Sequence, residues 1–260
     1  MKLKIFQVDA FTDKLFSGNP AAVCPLEKWL PDEVMQKIAA ENNLAETAFY
    51  VPNEKDFHLR WFTPAVEVDL CGHATLATAH VMIQHLGFSS PQINFHSRSG
   101  MLSVRKNGEL LTLNFPKNEM NKIETPGEIT KAIAVKPVEC FLGKNVLLVV
   151  LRSQKDIEEL NPEINFIAQA HPHGVIFTAK GSHVDFVSRC FLPNYGIHED
   201  PVTGSAHTIL TPYWSAKLGK SKLTATQLSK RTGQLMCELI GDRVEISGKA
   251  VTYMTGEIEI

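Results

Sequence analysis

Two short stretches carry many of the side chains that could perform acid–base chemistry. Residues 196–207 contain two carboxylates, two histidines and two hydroxyls among turn-forming residues, and they run into an apolar, helix-like segment. Residues 68–75 read Val-Asp-Leu-Cys-Gly-His-Ala-Thr and also precede an apolar run. The first N–H groups of a helix lack intrahelical partners and can bind an anion. Taken as a pair, the two stretches predict a site for a small molecule that carries a carboxylate.

Glu46 and His73 are the first candidates for moving a proton. Glu46 leads a strand that is otherwise apolar over 45–51, where a half-buried carboxylate could act as a general acid or base. A solvent-facing glutamate at a strand edge is the alternative. His73 stands between Gly72 and Ala74 at a helix start, where its imidazole and the backbone N–H groups could hold a carboxylate. A helix-cap histidine with only local contacts is the alternative there.

The second stretch supplies a carboxylate, Asp200, and a hydroxyl, Ser205, which lies between Gly204 and Ala206. Capping of the helix and contact with a substrate are both open to these groups. A catalytic triad of Ser205, His207 and Asp200 is excluded, because residues two apart on a helix do not face each other. The chain also lacks a Gly-x-Ser-x-Gly elbow.

No metal site is predicted. The five cysteines are scattered without a Cys-x-x-Cys pair, which favours free thiols in a reduced, cytoplasmic protein. Cys71 could have a lowered pKa beside a helix start, or it could be a small buried hydrophobe. His171 and His173 lack a third ligand at a recognisable spacing and indicate a surface loop. The turn Gly18-Asn19-Pro20 could place Asn19 in the lining of a cleft.

Composition limits the class of protein. The chain has 260 residues, of which 44% are hydrophobic and 21% charged, enough for one large or two medium globular domains. A net charge of −2 gives no electrostatic reason to bind nucleic acid or an anionic membrane. Asp9 follows the start too soon for a secretory signal, and the run 146–151 is too short to cross a bilayer.

An internal repeat relates the two halves of the chain. The sequence Arg-x-Phe-x-Pro occurs at 60–64 and at 189–193, and Gly-x-Ala occurs at 72–74 and at 204–206. In both halves the next glycine follows 15 residues later and closes an apolar segment. A helix that is apolar on most sides is buried on most sides.

This repeat predicts an α+β fold of two pseudo-symmetric lobes. Each lobe would be a curved, mostly antiparallel sheet wrapped around one central helix, with both helix starts at an interlobe cleft. We assign the lobes to 1–118 and 119–260, with a final strand near 251–260 that could return to the first lobe. The charged, proline-bearing segment 116–128 is interpreted as a linker, and Pro212 should kink the second helix.

Several motifs in chain order resemble the phenazine-biosynthesis (PhzF-like) protein family. They are Asp9-Ala10-Phe11, Gly18-Asn19-Pro20-Ala21-Ala22-Val23, Ala45-Glu46-Thr47-Ala48-Phe49, Phe62-Thr63-Pro64, Asp69-Leu70-Cys71-Gly72-His73-Ala74-Thr75 and Glu199-Asp200-Pro201-Val202-Thr203-Gly204-Ser205-Ala206. The resemblance implies a diaminopimelate-epimerase-like fold, an interlobe active site, a homodimer and no cofactor. Glu46 matches the family's acid–base glutamate, and His73, Asp200 and Ser205 match residues that position the substrate and assist proton movement.

In the characterised phenazine enzyme of that family, the reaction isomerises a dihydro-hydroxyanthranilate by a proton shift. The resemblance therefore favours an isomerase of a small carboxylate-bearing metabolite, with one proton carrier. A two-base epimerase would need a pair of cysteines, and residues 194–208 contain none, although Cys71 could serve as one. A non-catalytic binding protein of the same fold is the remaining alternative.

Overall fold

The structure is a computed structural model that describes residues 1–144 and 146–260. Its strands are β1 (Lys2–Ala10), β2 (Asn19–Pro25), β3 (Glu46–Asn53), β4 (Asp56–Phe62), β5 (Glu67–Val68), β6 (Gln92–Ser97), β7 (Gly100–Asn107), β8 (Leu110–Pro116), β9 (Met120–Ile123), β10 (Glu139–Gly143), β11 (Leu147–Val150), β12 (Val175–Lys180), β13 (Phe186–Leu192), β14 (Ile197–Asp200), β15 (Lys222–Gln227), β16 (Gly233–Ile240), β17 (Arg243–Gly248) and β18 (Ala250–Glu259). Its helices are α1 (Asp32–Asn42), α2 (Gly72–His85), α3 (Gly127–Ala132), α4 (Gln154–Glu158), α5 (Ile164–Ala170) and α6 (His207–Leu218), with a 3₁₀ turn at Pro193–Tyr195.

The chain folds into two compact units. The first consists of residues 1–114 with 247–260, and the second consists of residues 115–246. The first unit is therefore discontinuous in sequence, because β18 pairs with β1 along its whole length. Within the described residues, no helix is both long and apolar enough to cross a membrane.

The sheet of the first unit has the strand order β18–β1–β2–β3–β4–β6–β7–β8. In this order the pairs β2/β3 and β4/β6 are parallel and the others are antiparallel. Parallel neighbours need a crossover connection, and α1 and α2 supply the two crossovers. The topology explains why this unit contains few helices and why each follows a strand.

Helix α2 is the central helix of the first unit. It contains no Asp, Glu, Lys or Arg, and small and aliphatic side chains surround it on most sides. Its residues are accordingly buried from Gly72 to Ala79 and again at Val81 and Met82. The predicted burial of an all-round apolar helix is confirmed here.

The second unit repeats the pattern of strand directions. Its order is β9–β10–β11–β12–β13–β15–β16, with β11/β12 and β13/β15 parallel and the other pairs antiparallel. Helices α4 and α5 connect the first parallel pair, and β14 with α6 connects the second. Each unit thus has a strand, a crossover and a buried helix at equivalent places, and the predicted α+β class is confirmed.

Helix α6 runs without interruption through Pro212. Proline lacks the N–H that would bond to the carbonyl four residues earlier. That carbonyl, on Thr208, accepts a hydrogen bond of 3.0 Å from the backbone N–H of Asn118 instead. A residue outside the helix thereby satisfies the group that Pro212 leaves unpaired. The helix ends at Gly219, which has a φ of 67°.

The interpretation of 116–128 as a linker is wrong. Strand β9 lies inside this segment and pairs antiparallel with β10, and α3 begins at Gly127. Pro116 ends β8 and Pro126 precedes α3, while the exposed Asn121 and Lys122 lie in β9, as is typical of an edge strand. Composition alone does not separate such a strand from a linker.

Candidate active site

Three elements of the first unit bring Asn19, Glu46 and His73 together. Asn19 opens β2, Glu46 opens β3 and His73 lies in the first turn of α2. The side-chain nitrogen Nδ2 of Asn19 lies 3.2 Å from Nδ1 of His73, whose Nε2 lies 3.1 Å from Oε2 of Glu46. The imidazole therefore bridges an amide and a carboxylate.

Gly18 allows the backbone to deliver Asn19 to this place. Its φ is +66°, and a Cβ atom there would lie 2.2 Å from the carbonyl oxygen of Ala10. Only glycine tolerates both conditions. The Gly-Asn pair in the sequence therefore combines a backbone requirement with a side chain that contacts His73.

Burial is graded along the row of side chains. Asn19 is fully buried, and the side chains of His73 and Glu46 are 6% and 12% exposed. Glu46 thus lies at the solvent end, and it is not the solvent-facing strand-edge residue that the sequence left open. Within the described residues, Oε2 of Glu46 and Nε2 of His73 have no hydrogen-bond partner apart from each other.

The environment of His73 favours its protonated form. Burial by itself lowers the pKa of His73, but the neighbouring Cys71 sulfur and Glu46 carboxylate outweigh it and raise the pKa well above its usual value. The amide of Asn19 can turn either its oxygen or its nitrogen toward Nδ1. It can therefore support both protonation states of the ring.

Cys71 is an unreactive thiol in this setting. Its sulfur lies 3.5 Å from Nδ1 of His73, and burial, followed by the charge of Glu46, raises its pKa to about 11. The alternative of a lowered pKa is wrong, because desolvation outweighs the effect of the helix start. Cys71 is a buried neutral group at physiological pH.

Among the described residues, Glu46, Cys71 and His73 form a group that could hold a metal ion. One donor atom from each lies within 4.8 Å of the others. A metal would have to displace the thiol proton and compete with Asn19 for Nδ1 and with Glu46 for Nε2. The hydrogen-bonded arrangement fits a proton carrier better than a metal centre.

The start of α2 offers backbone donors beside these side chains. No side chain caps the helix at Cys71, and the first bond within the helix runs from the N–H of Thr75 to the carbonyl of Cys71. The N–H groups of Gly72, His73 and Ala74 come before that bond. Such groups bind carboxylates.

In the second unit, Asp200 belongs to a buried network with Thr203 and Gln227. The hydroxyl of Thr203 donates to Oδ2 of Asp200 over 2.5 Å. Gln227 accepts from the N–H of Thr203 at 2.9 Å and donates to the carbonyl of Asp200 at 2.7 Å. The turn that precedes α6 is thereby held by side chains, in addition to the strand pairing of Asp200 with Cys190.

Ser205 and His207 occupy different environments. Ser205 is exposed in the turn formed by Gly204–Ala206, whereas His207 is fully buried. The Nδ1 atom of His207 bonds to the carbonyl of Thr203 at 2.9 Å, and its Nε2 has no partner among the described residues. Ser205 and His207 therefore form no hydrogen bond, in agreement with the rejected triad.

Sequence reasoning missed an arginine–glutamate clamp that occurs in both units. Arg60 bonds Glu67 through two nitrogens at 2.7 Å each, and Arg189 bonds Glu199 at 2.6 and 2.9 Å. Both glutamates lie five residues before the glycines Gly72 and Gly204. The repeated arginines were visible in the sequence, but their partners were hidden because the intervening residues differ.

The two units are not chemically equivalent at the position of Glu46. Strand register pairs Thr47 with Phe62 in the first unit and Val175 with Phe191 in the second, so Gly174 takes the place of Glu46. Gly174 has a φ of +104°, and a Cβ atom would lie 2.4 Å from the carbonyl oxygen of Phe191. No side chain fits there, so the carboxylate occurs in one unit alone.

Comparison with known proteins gives the family. The model of the phenazine biosynthesis-like protein family, PhzC-PhzF, matches residues 8–256. A Pseudomonas aeruginosa protein named as an uncharacterized isomerase is 52% identical over 260 residues, which cover 100% of both chains.

Solved structures agree with this assignment. The crystal structure of a PhzF-family phenazine biosynthesis protein from Enterococcus faecalis has a TM-score of 0.97 and 45% identity over 100% of both chains. A predicted epimerase from Pseudomonas aeruginosa has a TM-score of 0.72 at 18% identity, covers 98% of this chain and 99% of that chain, and shows the shared epimerase-like fold alone. The chain is an enzyme of the isomerase class and belongs to the phenazine biosynthesis-like (PhzF) family.

Proposed function

We propose that the protein is a cofactor-independent isomerase that moves a proton within a small carboxylate-bearing metabolite, including cyclic, conjugated acids. Glu46 removes the proton from one carbon and returns it to another. The observation that carries the proposal is the contact between Glu46 and His73, with Glu46 at the more exposed end of an otherwise buried row. A general base must be reachable by the substrate, and a neighbouring group, here His73, must influence whether it is protonated.

One carrier suffices when both carbons lie on the same face of the substrate. An epimerase of the two-base type needs a second group on the opposite face. In the second unit, the positions that correspond to Glu46 and Cys71 are taken by Gly174 and Thr203. Neither can act as a base near neutral pH, which favours the single-carrier reaction over epimerisation.

His73 and Asn19 would assist Glu46 rather than replace it. A protonated His73 stabilises the Glu46 carboxylate before proton transfer and the charge of the substrate during it. Gly72 and Ala74 would contribute backbone N–H groups that bind the substrate carboxylate and lower the cost of the charge developing on it.

We further propose that Asp200 and Ser205 position the substrate, together with the backbone at Gly204 and Ala206. Ser205 is exposed and can reach a ligand, whereas Asp200 is fixed by Thr203. Alanine variants of Asp200 and Ser205 should raise KM or lower kcat. Unchanged kinetics would remove these two residues from the proposal.

The test is solvent exchange into substrate carbon. The purified enzyme is incubated in D₂O with dihydro-hydroxyanthranilic acid and a panel of unsaturated and cyclic carboxylic acids, and deuterium is read by mass spectrometry and NMR. We expect one or more acids to isomerise, and to gain deuterium at the receiving carbon in those turnovers in which the proton on Glu46 exchanges with D₂O before it is returned. Absence of both isomerisation and deuterium exchange across the whole panel would favour a non-catalytic binding protein.

A further inference from the structure

The complete burial of one glutamine in the second unit, Gln227, is not explained by its place in a strand. Gln227 ends β15 and is completely buried, although glutamine is mostly exposed in folded proteins. Burial of an amide is costly unless its donors and acceptor are bonded. The partners of Gln227 all belong to one turn, residues 200–203.

Those partners fix the orientation of the amide. The backbone N–H of Thr203 can only donate, so it must face Oε1 of Gln227, at 2.9 Å. The carbonyl of Asp200 can only accept, so it must face Nε2, at 2.7 Å. The oxygen and nitrogen of the amide are therefore assigned by chemistry.

The same amide sets the direction of the Thr203 hydroxyl. Nε2 of Gln227 also donates to Oγ1 of Thr203 at 3.2 Å. With this donor on its oxygen, the hydroxyl directs its own proton to Oδ2 of Asp200, at 2.5 Å. Gln227 thus acts on both the backbone of the turn and the hydrogen bond to the carboxylate, while the hydroxyl of Ser229 donates to the carbonyl of Pro201 in the same turn.

We propose that Gln227 is a positioning residue for the isomerase, which holds the Asp200 carboxylate in the orientation that binds substrate. The role rests on the proposed function, because it requires Asp200 to contact the substrate. Gln227 itself would touch neither substrate nor the migrating proton. Its loss would leave Glu46 intact and misplace Asp200.

Two variants test the hydrogen bonds that the amide of Gln227 donates and accepts. Gln227→Met keeps the length of the side chain and removes all three hydrogen bonds. Gln227→Glu keeps an acceptor for the N–H of Thr203 but loses both donations and places a second carboxylate beside Asp200. The matched control is Gln234→Met, which makes the same exchange at an exposed position of the neighbouring β16.

The readouts are the steady-state constants in the solvent-exchange assay and backbone hydrogen exchange at Thr203. We expect Gln227→Met and Gln227→Glu to lower kcat roughly 10- to 100-fold with a smaller change in KM, since a small misplacement near the reacting groups has that effect. Hydrogen exchange should accelerate in residues 200–204 and stay unchanged in β12 and β13. Gln234→Met should match the wild type in both.

The outcomes separate this proposal from the proposed function. An active wild type with unchanged kcat in Gln227→Met contradicts the positioning role and leaves the isomerase reaction standing. Unchanged hydrogen exchange at Thr203 contradicts the role as well, because the turn is then held by other groups. A wild type that neither isomerises any acid nor exchanges deuterium into it contradicts the proposed function, and the positioning role falls with it.

Discussion

Two histidines near the central helices have opposite protonation preferences because their surroundings differ. His73 faces the Glu46 carboxylate, which together with Cys71 overcomes burial and raises its pKa. His207 is buried beside Phe186 without a carboxylate, and burial lowers its pKa to about 4. Both follow Gly72 or Gly204 within three residues, so local sequence did not distinguish them.

The pKa of His207 predicts a loss of stability in mild acid. The unfolded chain binds this proton near pH 6.5 and the folded chain only near pH 4, so stability is complete above pH 6.5 and falls between these values. Over this pH range, protonation of His207 lowers the free energy of unfolding by about 3 kcal/mol. We expect His207→Asn, which can keep the bond to Thr203, to show a weaker decrease in the free energy of unfolding between pH 6.5 and 4.

Denaturant titrations at several pH values measure this effect. His80, whose pKa is also lowered to about 4 by burial and by His85, contributes in the same direction, so the dependence is reduced rather than abolished. His183→Asn at an exposed turn is the control. An identical pH dependence in the wild type and in His207→Asn would rule out His207 as a source.

At the residue scale, the sequence predicted which groups carry chemistry better than it predicted their surroundings. Asn19, Glu46 and His73 were singled out by type and motif, but their contact depends on strand register between β2 and β3. Gln227 was not predicted, because a lone glutamine at the end of a strand has no local signal. Its partners lie more than twenty residues earlier in the chain.

At the scale of elements, the arginine–glutamate clamp anchors the segment that enters each central helix. Arg189 and Glu199 are 14% and 22% exposed and bond through two nitrogens, and Arg189 also donates to the carbonyls of Ile157 and Leu160. In the first unit Glu67 has a second partner, since Arg98 lies 2.7 Å from it. If the arginine of the clamp is replaced, Glu67 therefore keeps Arg98 as a charged partner, whereas Glu199 loses its arginine partner.

Because of this difference, we expect the same substitution to lower the free energy of unfolding by different amounts in the two clamps. Arg189→Met leaves Glu199 half-buried without its partner and should lower the free energy of unfolding by about 2–4 kcal/mol. Arg60→Met leaves Glu67 paired with Arg98 and should cost less. Chemical denaturation of the two variants measures both costs.

Arg152→Met supplies the control for this comparison. Arg152 is 78% exposed, and its Nε lies 3.7 Å from Oδ2 of Asp156, four residues later in α4. Such surface pairs contribute about 0–1 kcal/mol. Equal destabilisation by Arg189→Met and Arg152→Met would show that the clamp does not stabilise the turn before α6.

At the element scale, the sequence predicted the two buried helices, because each of these segments is apolar on most sides. It failed for 116–128, where β9 is defined by pairing with β10 and not by its own composition. Pro212 did not interrupt α6, because Asn118 supplies the missing donor from outside the helix. The error at 116–128 arises because the strand that pairs with β9 lies elsewhere in the sequence.

At the scale of the whole molecule, the two units share one arrangement of strands, and the last strand, β18, pairs with the first strand, β1. The internal repeat in the sequence predicted this duplication, and the order of strand directions matches between the units. The duplication is chemically unequal, since Glu46 has no counterpart at Gly174. Only strand register reveals this, because glycine at that position is unremarkable in the sequence.

The returning strand predicts the effect of a truncation. β18 pairs with β1 from Ala10 to Lys2, so removal of residues 250–260 would expose the edge of β1 and its apolar residues. We expect this variant to lose cooperative thermal unfolding or to aggregate. Removal of Ile260 alone is the control and should leave the melting curve almost unchanged. Cooperative unfolding at the wild-type temperature in the longer truncation would contradict the structural role of β18.

The most direct test of the account is the Glu46→Gln variant in the D₂O assay. The substitution keeps the size of the side chain and a contact with His73 but removes the group that carries the proton. We expect an intact fold, retained binding of the acid that the wild type isomerises, and a loss of turnover and deuterium incorporation of roughly a thousandfold or more. Wild-type rates of isomerisation and deuterium incorporation in Glu46→Gln would contradict the central claim that Glu46 moves the proton.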